Sequence, residues 1–116
     1  MLAMRVYELM IIYTGETEDT VVRENVAAVT KAIEADGGKV ATTDLWGKRR
    51  FAYEINHKWE GIYVVLEIVT PARDLHEVER NLRLADDVVR HKVLRLPDSE
   101  AARRGLIGES APATAG

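Results

Sequence analysis

The residues best suited to chemistry lie in one stretch, 45–63, which reads LWGKRRFAYEINHKWEGIY. Three consecutive cations, Lys48, Arg49 and Arg50, stand among Trp46, Phe51, Tyr53 and Trp59. Guanidinium and ammonium groups meet phosphate and aromatic rings stack on unpaired bases, so this mixture is the composition of an RNA-binding surface. The same residues also fit a plain structural role, with the rings as core or loop packing and the cations as a solvated turn. Charge placement favours the first reading. The chain carries a net charge of −3, yet within 37–58 Lys39, Lys48, Arg49, Arg50 and Lys58 face only Asp44 and Glu54. Residues 90–95 hold Arg90, Lys92 and Arg95 with no acid at all. Segments 1–36 and 59–89 are each net −4. Basic strands backed by acidic helices make a molecule that approaches phosphate from one side.

Catalytic chemistry finds no comparable stretch. His57, His76 and His91 fall in a predicted loop, helix and strand, and no two have metal-ligand spacing. The absence of cysteine removes a disulfide framework, a thiolate metal site and a cysteine nucleophile, and fits a reducing compartment. Ser99 and Ser110 lie in the C-terminal stretch, away from any buried position a nucleophile would need. Gly37–Gly38 reads as a helix stop and Asp86–Asp87 as a turn, not as a phosphate cradle and a catalytic carboxylate pair. The expectation is a protein without catalytic residues, metal or cofactor. No apolar run approaches the roughly 18 residues that span a bilayer, and Met1–Leu2–Ala3 opens no signal peptide, so a soluble cytoplasmic protein with no membrane partner is expected.

The elements that must position the basic stretch follow from periodicity. Arg5 to Tyr13 alternates Tyr7, Leu9, Ile11 and Tyr13 with Val6, Met10 and Ile12, which makes both faces of a strand apolar and predicts a central one. Glu18 to Ala35 reads as a helix with Val22, Val26, Val29 and Ile33 on one stripe, Thr17 as its N-cap and Gly37–Gly38 as its stop. Lys39 to Tyr53 is a second strand bent at Gly47, where a lone glycine suggests a bulge. A hairpin loop over 56–61 leads to a third strand, Ile62 to Val69. Asp74 to Leu84 is a second helix with capping-box spacing between Asp74 and Glu77. Val88 to Leu96 is the fourth strand, and Pro97 ends the domain.

The order strand, helix, strand, strand, helix, strand predicts an α+β, ferredoxin-like split βαβ fold: a four-stranded antiparallel sheet with both helices on one face. Residues 1–97 form that domain. Residues 98–116, rich in Ala, Gly, Ser and Pro, read as a flexible tail with at most one weak helical turn around Glu100 to Arg104. Removing the tail after Pro97 is then expected to change stability by less than about 1 kcal/mol. The sheet face without helices is expected to expose apolar groups, Met10 and Ile12 among them, to a partner.

Met4–Arg5–x–Tyr7–Glu8, Gly37–Gly38–Lys39–Val40, Trp46 through Tyr53, Glu60–Gly61–x–Tyr63–Val64, Leu82–Arg83–Leu84 and Val89–Arg90 together resemble the bacterial family of small-subunit ribosomal protein number six. The resemblance spans residues 4–96, with Met1–Leu2–Ala3 ahead of the family's usual start. It implies a structural protein that binds the central domain of small-subunit ribosomal RNA, pairs with small-subunit ribosomal protein number eighteen, and is a monomer outside the ribosome. It makes Arg5, Tyr7, Lys48, Arg49, Arg50, Tyr53, Lys58, Arg90 and His91 candidates for RNA contact, with the charges of Arg5 and Arg90 converging at strand ends. Tyr7 and Tyr53 fit the core equally. Two departures stand out: Glu54 replaces a proline common in the family, and Lys92 interrupts an apolar strand. The alternatives are an oligomeric ferredoxin-like binding module and an acylphosphatase-like enzyme. Thr14–Gly15–Glu16 is too short and acidic for the phosphate loop such an enzyme needs.

Overall fold

Strand β1 (Arg5–Thr14), helix α1 (Asp19–Ala35), strands β2 (Lys39–Ile55) and β3 (Lys58–Thr70), helix α2 (His76–Leu84), strand β4 (Val88–Leu96) and helix α3 (Asp98–Arg103) follow one another along the chain. They come from a computed structural model, which describes residues 3–55 and 58–107. The four strands form one antiparallel sheet in the order β2-β3-β1-β4, so β1 is central, as its two apolar faces require. The ferredoxin-like order is the one expected, with α3 added at its end.

Strand alternation sorts β1 between two layers. Tyr7, Leu9, Ile11 and Tyr13 face α1 and α2, where they pack with Val22, Val26, Val29 and Ile33, with Val64, Leu66 and Ile68 of β3, and with Leu75, Val78 and Leu82. The predicted stripe of α1 is the buried one, and α2 buries Val78 and Leu82. The valines of α1 are poor helix formers, so burial of this stripe holds the helix more than propensity does. Its end is a Schellman motif: Gly37 takes φ +87°, and the Gly37 and Gly38 amides donate to the Glu34 and Ile33 carbonyls.

Three local expectations give way. Thr17 does not cap α1; its hydroxyl pairs with that of Thr14, and the N-cap is Glu18 without a side-chain bond. Asp74 accepts from the His76 amide at 3.1 Å, an Asx turn ahead of a helix that starts too late for a box with Glu77. The third strand begins at Lys58, not Ile62, because the ladder with β2 continues through Arg50–Glu60 and Ile55–Lys58. Residues 56–57 of the expected loop, His57 among them, lie outside the described residues.

The other sheet face carries Val6, Glu8, Met10 and Ile12 from β1, and its two ends differ. At one end Val6, Val69 and Leu96 are covered by Ala101 of α3, with Leu106 and Ile107 packed alongside. Ala101 is 0% exposed. This corrects the expectation of a flexible tail for 98–107; residues 108–116 of that tail lie outside the described residues. A short sequence poor in large side chains still docks, because Ala101 needs little volume to fit against two valines and a leucine. Arg104 adds a polar clasp, meeting Glu100 at 2.7 Å, Glu67 at 2.8 Å and Glu8 at 3.7 Å. At the opposite end Met10 is half-buried, while Ile12 is only 6% exposed, beside Gly61 and Phe51, which corrects the expectation that both would be exposed.

Candidate nucleic-acid interface

β1 ends at Thr14, opposite Gly61 of β3, and β4 starts beside Tyr13. Residues 50–55 of β2 and 58–60 of β3 therefore run on without a third strand. At about 3.3 Å per residue the three β3 residues carry this arm roughly 10 Å past the sheet. The molecule is accordingly elongated, 48 × 29 × 20 Å. At the base of the arm Leu45 pairs with Val64 and Gly47 with Tyr63, one residue extra on β2. That is the bulge foreseen at Gly47, whose φ of +87° suits glycine.

The bulge and the strand period together split the cation triplet across both sides of the arm. On the face without α1 and α2, Trp46 stacks on Tyr63 with centroids 5.9 Å apart and planes 9° from parallel. The Arg49 guanidinium lies 5.5 Å above Trp46, and Phe51 meets the edge of Tyr63 at 6.3 Å. On the helix side, Lys48 pairs with Ile62, which packs on the helix-covered core. Lys48, Lys58 and Trp59 line a recess of about 290 Å³ with Gly15, Glu16 and Glu60. Arg50 sits 5.6 Å above Trp59. Each arginine thus makes a cation–π contact with an indole, which limits its rotamers, and both arginines remain exposed. Tyr53, farther along the arm, is 63% exposed, which decides its two readings in favour of surface. Lys58 reaches Glu16 at 3.5 Å, an exposed pair of small energetic weight.

Other candidates go elsewhere. Tyr7 is 5% exposed and donates its hydroxyl to the carbonyls of Arg73 at 2.7 Å and Ala72 at 3.2 Å, so it is a core residue and not an RNA contact. His91 points toward α2, where its Nε2 lies 3.1 Å from Glu79; it stands on the opposite side of β4 from Arg90 and Lys92. Arg5 donates to the Pro71 carbonyl at 3.2 Å. Arg5 and Arg90 do not converge: Arg90 pairs with Ile12, seven residues along β1 from Arg5, or about 23 Å. Met10 and Ile12 do belong to the face without α1 and α2, where with Tyr63, Arg90 and Lys92 they line a recess of about 480 Å³. Sequence reasoning missed the part played by Tyr63 and Lys92. The signal for Lys92 was present, since a cation interrupting an apolar strand implies a wet face there.

A buried phenol completes the helix-side core: Tyr13 donates to Asn25, and burial pushes its hydroxyl pKa well up, so it stays neutral. Among the described residues no three His, Asp or Glu side chains gather as a cation site. The turn after β1 holds the Thr14–Thr17 hydroxyl pair and the Glu16–Lys58 contact in place of a phosphate cradle.

The chain is a ferredoxin-like domain whose four-stranded sheet is extended by a cationic, aromatic arm. The chain belongs to the ribosomal protein S6 family, whose model matches residues 6–95. It is similar to the small ribosomal subunit protein bS6 of Corynebacterium aurimucosum, at 46% identity over 92 residues, 79% of this chain and 96% of that protein. The bS6 protein of Salinispora arenicola is 42% identical over the same shares. The crystal structure of 30S ribosomal protein S6 from Thermotoga maritima has a TM-score of 0.79 and 31% identity, covering 89% of this chain and 97% of that one. The family consists of structural, non-catalytic proteins of the small ribosomal subunit, so the chain is not an enzyme and its compartment is the cytoplasm. No helix among the described residues is long and apolar enough to cross a membrane.

Proposed function

We propose that this protein binds the central domain of small-subunit ribosomal RNA together with small-subunit ribosomal protein number eighteen, and stabilises a folded RNA junction without catalysis. The observation that carries this reading is the projecting arm, with Lys48, Arg50 and Lys58 on its helix side and Tyr53 exposed beyond them. An arm of this kind reaches phosphates across a groove or junction that the flat sheet cannot enter. Its contacts are chiefly to phosphate, with Tyr53 available to stack on an unpaired base. Met10 and Ile12, on the half of the sheet face that α3 leaves open, meet the protein partner.

The test is binding to a transcript of the central domain, with the partner protein present, across a salt series. Lys48→Ala, Arg50→Ala and Lys58→Ala combined should weaken binding and flatten the log–log salt slope by about 0.7–0.9 for each phosphate no longer neutralised. An unchanged slope in a folded triple variant would rule out the arm as the RNA-binding surface.

A further inference from the structure

Helix α3 is held on the sheet by few contacts. Ala101 is buried against Val6, Val69 and Leu96, and Leu106 and Ile107 pack beside it. The helix has six residues and no side-chain cap, too short to persist without that seat. It joins β4 through Pro97, which is extended at φ −58° and ψ 151° and has no N–H to donate. Among the described residues its backbone hydrogen bonds stay within 97–107: Ala101 donates to the Pro97 carbonyl and Leu106 to that of Ala101, each at 2.9 Å. Arg103 pairs with Glu100 inside the helix, and Arg95 and Asp98 are exposed and 3.9 Å apart. The close polar tie to the sheet is therefore Arg104, with Nη1 2.8 Å from Glu67 and 3.7 Å from Glu8. Glu8 and Glu67 stand opposite each other in the β1–β3 ladder, where like charges repel, and the guanidinium beside both offsets that repulsion. Thr42 donates to the other oxygen of Glu67 at 2.8 Å and so holds the acceptor still.

We propose that α3 is a strap that opens and closes over this end of the sheet as a unit, with Arg104 as its latch. Closed, it withholds the apolar strip of Val6, Val69 and Leu96 and neutralises Glu8 and Glu67. Open, it bares that strip beside two carboxylates with no cation between them. Leu94, 48% exposed and opposite Glu8 in the β1–β4 ladder, extends the bared strip along β4. The helix-side core that holds the domain together is untouched, because the two clusters lie on opposite faces of the sheet. Losing the smaller cluster exposes a small part of the surface that global unfolding exposes, so opening requires far less free energy. The attraction of Glu8 and Glu67 for Arg104 favours reclosing. The strap thus sets how much of this face is accessible at any moment.

Thiol labelling of the full chain tests this, because the sequence has no cysteine and one introduced thiol reports alone. Val69→Cys places it under α3 and Val64→Cys in the helix-side core, at two positions whose native side chains are buried. The thiol at 69 should react at least about tenfold faster than the thiol at 64, since it needs only the strap to open. Adding Arg104→Ala should speed the thiol at 69 by about three- to tenfold and leave the one at 64 unchanged. Arg104→Glu should speed it further, because Glu8, Glu67 and Glu100 then repel the side chain they held. Hydrogen exchange of the unsubstituted chain reads the same opening without a change in packing. The Leu106 amide should exchange through an opening that denaturant barely promotes, and the Leu9 amide through one that it promotes strongly. Equal reactivity at 69 and 64, or equal denaturant dependence of the two amides, would show that α3 opens only when the domain unfolds, and overturns the inference. An Arg104→Ala effect that is absent at 69, or equal at 69 and 64, removes the latch and overturns it too.

Discussion

Single residues in this protein are fixed by close approach more than by chemistry. A Cβ on Gly61 would lie 2.7 Å from Ile12 Cγ2, 2.8 Å from Phe51 Cζ and 2.8 Å from the Tyr13 carbonyl oxygen. Phe51 is the buried ring of the arm, and it is buried because Gly61 lets it lie on the sheet. Gly47 is the opposite case, with a left-handed φ and nothing within 4 Å of its missing Cβ. Gly61→Ala should therefore destabilise the fold by about 1–3 kcal/mol through overpacking, because backbone on one side and a ring on the other leave little room to yield. Gly47→Ala should cost about 1 kcal/mol, from conformation alone. Urea unfolding of both variants measures the difference. A Gly61→Ala midpoint equal to wild type would show that Phe51 can leave its seat freely.

At the scale of elements, α3 departs most from what its composition suggests. Its amides bond locally, Arg104 to the Glu100 carbonyl and Leu106 to that of Ala101, and its apolar contacts close one end of the sheet face. Truncation after Pro97 should uncover Val6, Val69 and Leu96 and lower stability by roughly 2–3 kcal/mol, taking about 25 cal/mol per Å² of apolar surface. A change under about 1 kcal/mol would restore the reading of a passive tail. The clasp also has a pH dependence. Hydrogen bonds from Arg104 and then Arg103 hold the Glu100 carboxyl below its usual 4.5. A carboxylate whose pKa is depressed on folding stabilises the fold above its unfolded value, and that contribution is lost as pH falls through the folded one. Hydrogen-exchange protection of the Arg104 and Leu106 amides should therefore be steady near neutral pH and fall below about pH 4.5, before the β1 amides lose theirs. Simultaneous loss in α3 and β1 would mean that the helix has no independent opening.

Across the whole molecule, the sheet separates two surfaces of different use, the acidic helix layer and a face divided between α3 and the open recess. The exposed edge strand β2 is guarded along the arm by Lys48, Arg49 and Arg50, which discourage edge-to-edge pairing. A twofold dimer through the recess would bring Arg90 and Lys92 against their own copies, a like-charge contact. The free chain should then sediment as a monomer of 13.0 kDa up to roughly 100 μM in moderate salt. A mass that rises toward twice that value with concentration would show that apolar burial outweighs the repulsion.

The sequence by itself determined the elements and their order, because periods of two and of three to four are local properties of the chain. The alternation in β1, the valine stripe of α1, the Gly37–Gly38 stop and the bulge at Gly47 all appear in the fold where they were read. It also located the basic stretch, since cation and aromatic content needs no neighbours to be counted. Only the tertiary structure decided where those side chains point. Arg49 and Arg50 are adjacent in sequence yet lie over different indoles, because a one-residue step on a strand reverses the face and the bulge at Trp46 resets which face that is. The same geometry turned His91 inward to Glu79 and left its neighbours Arg90 and Lys92 on the other side. Tyr7 went to the core because two carbonyls, 65 and 66 residues away in sequence, take its hydroxyl. The docking of α3 depended on a gap between Val6, Val69 and Leu96 that exists only once β3, β1 and β4 are side by side. Pairing across such separations is set by the whole sheet, and no local window of sequence contains it.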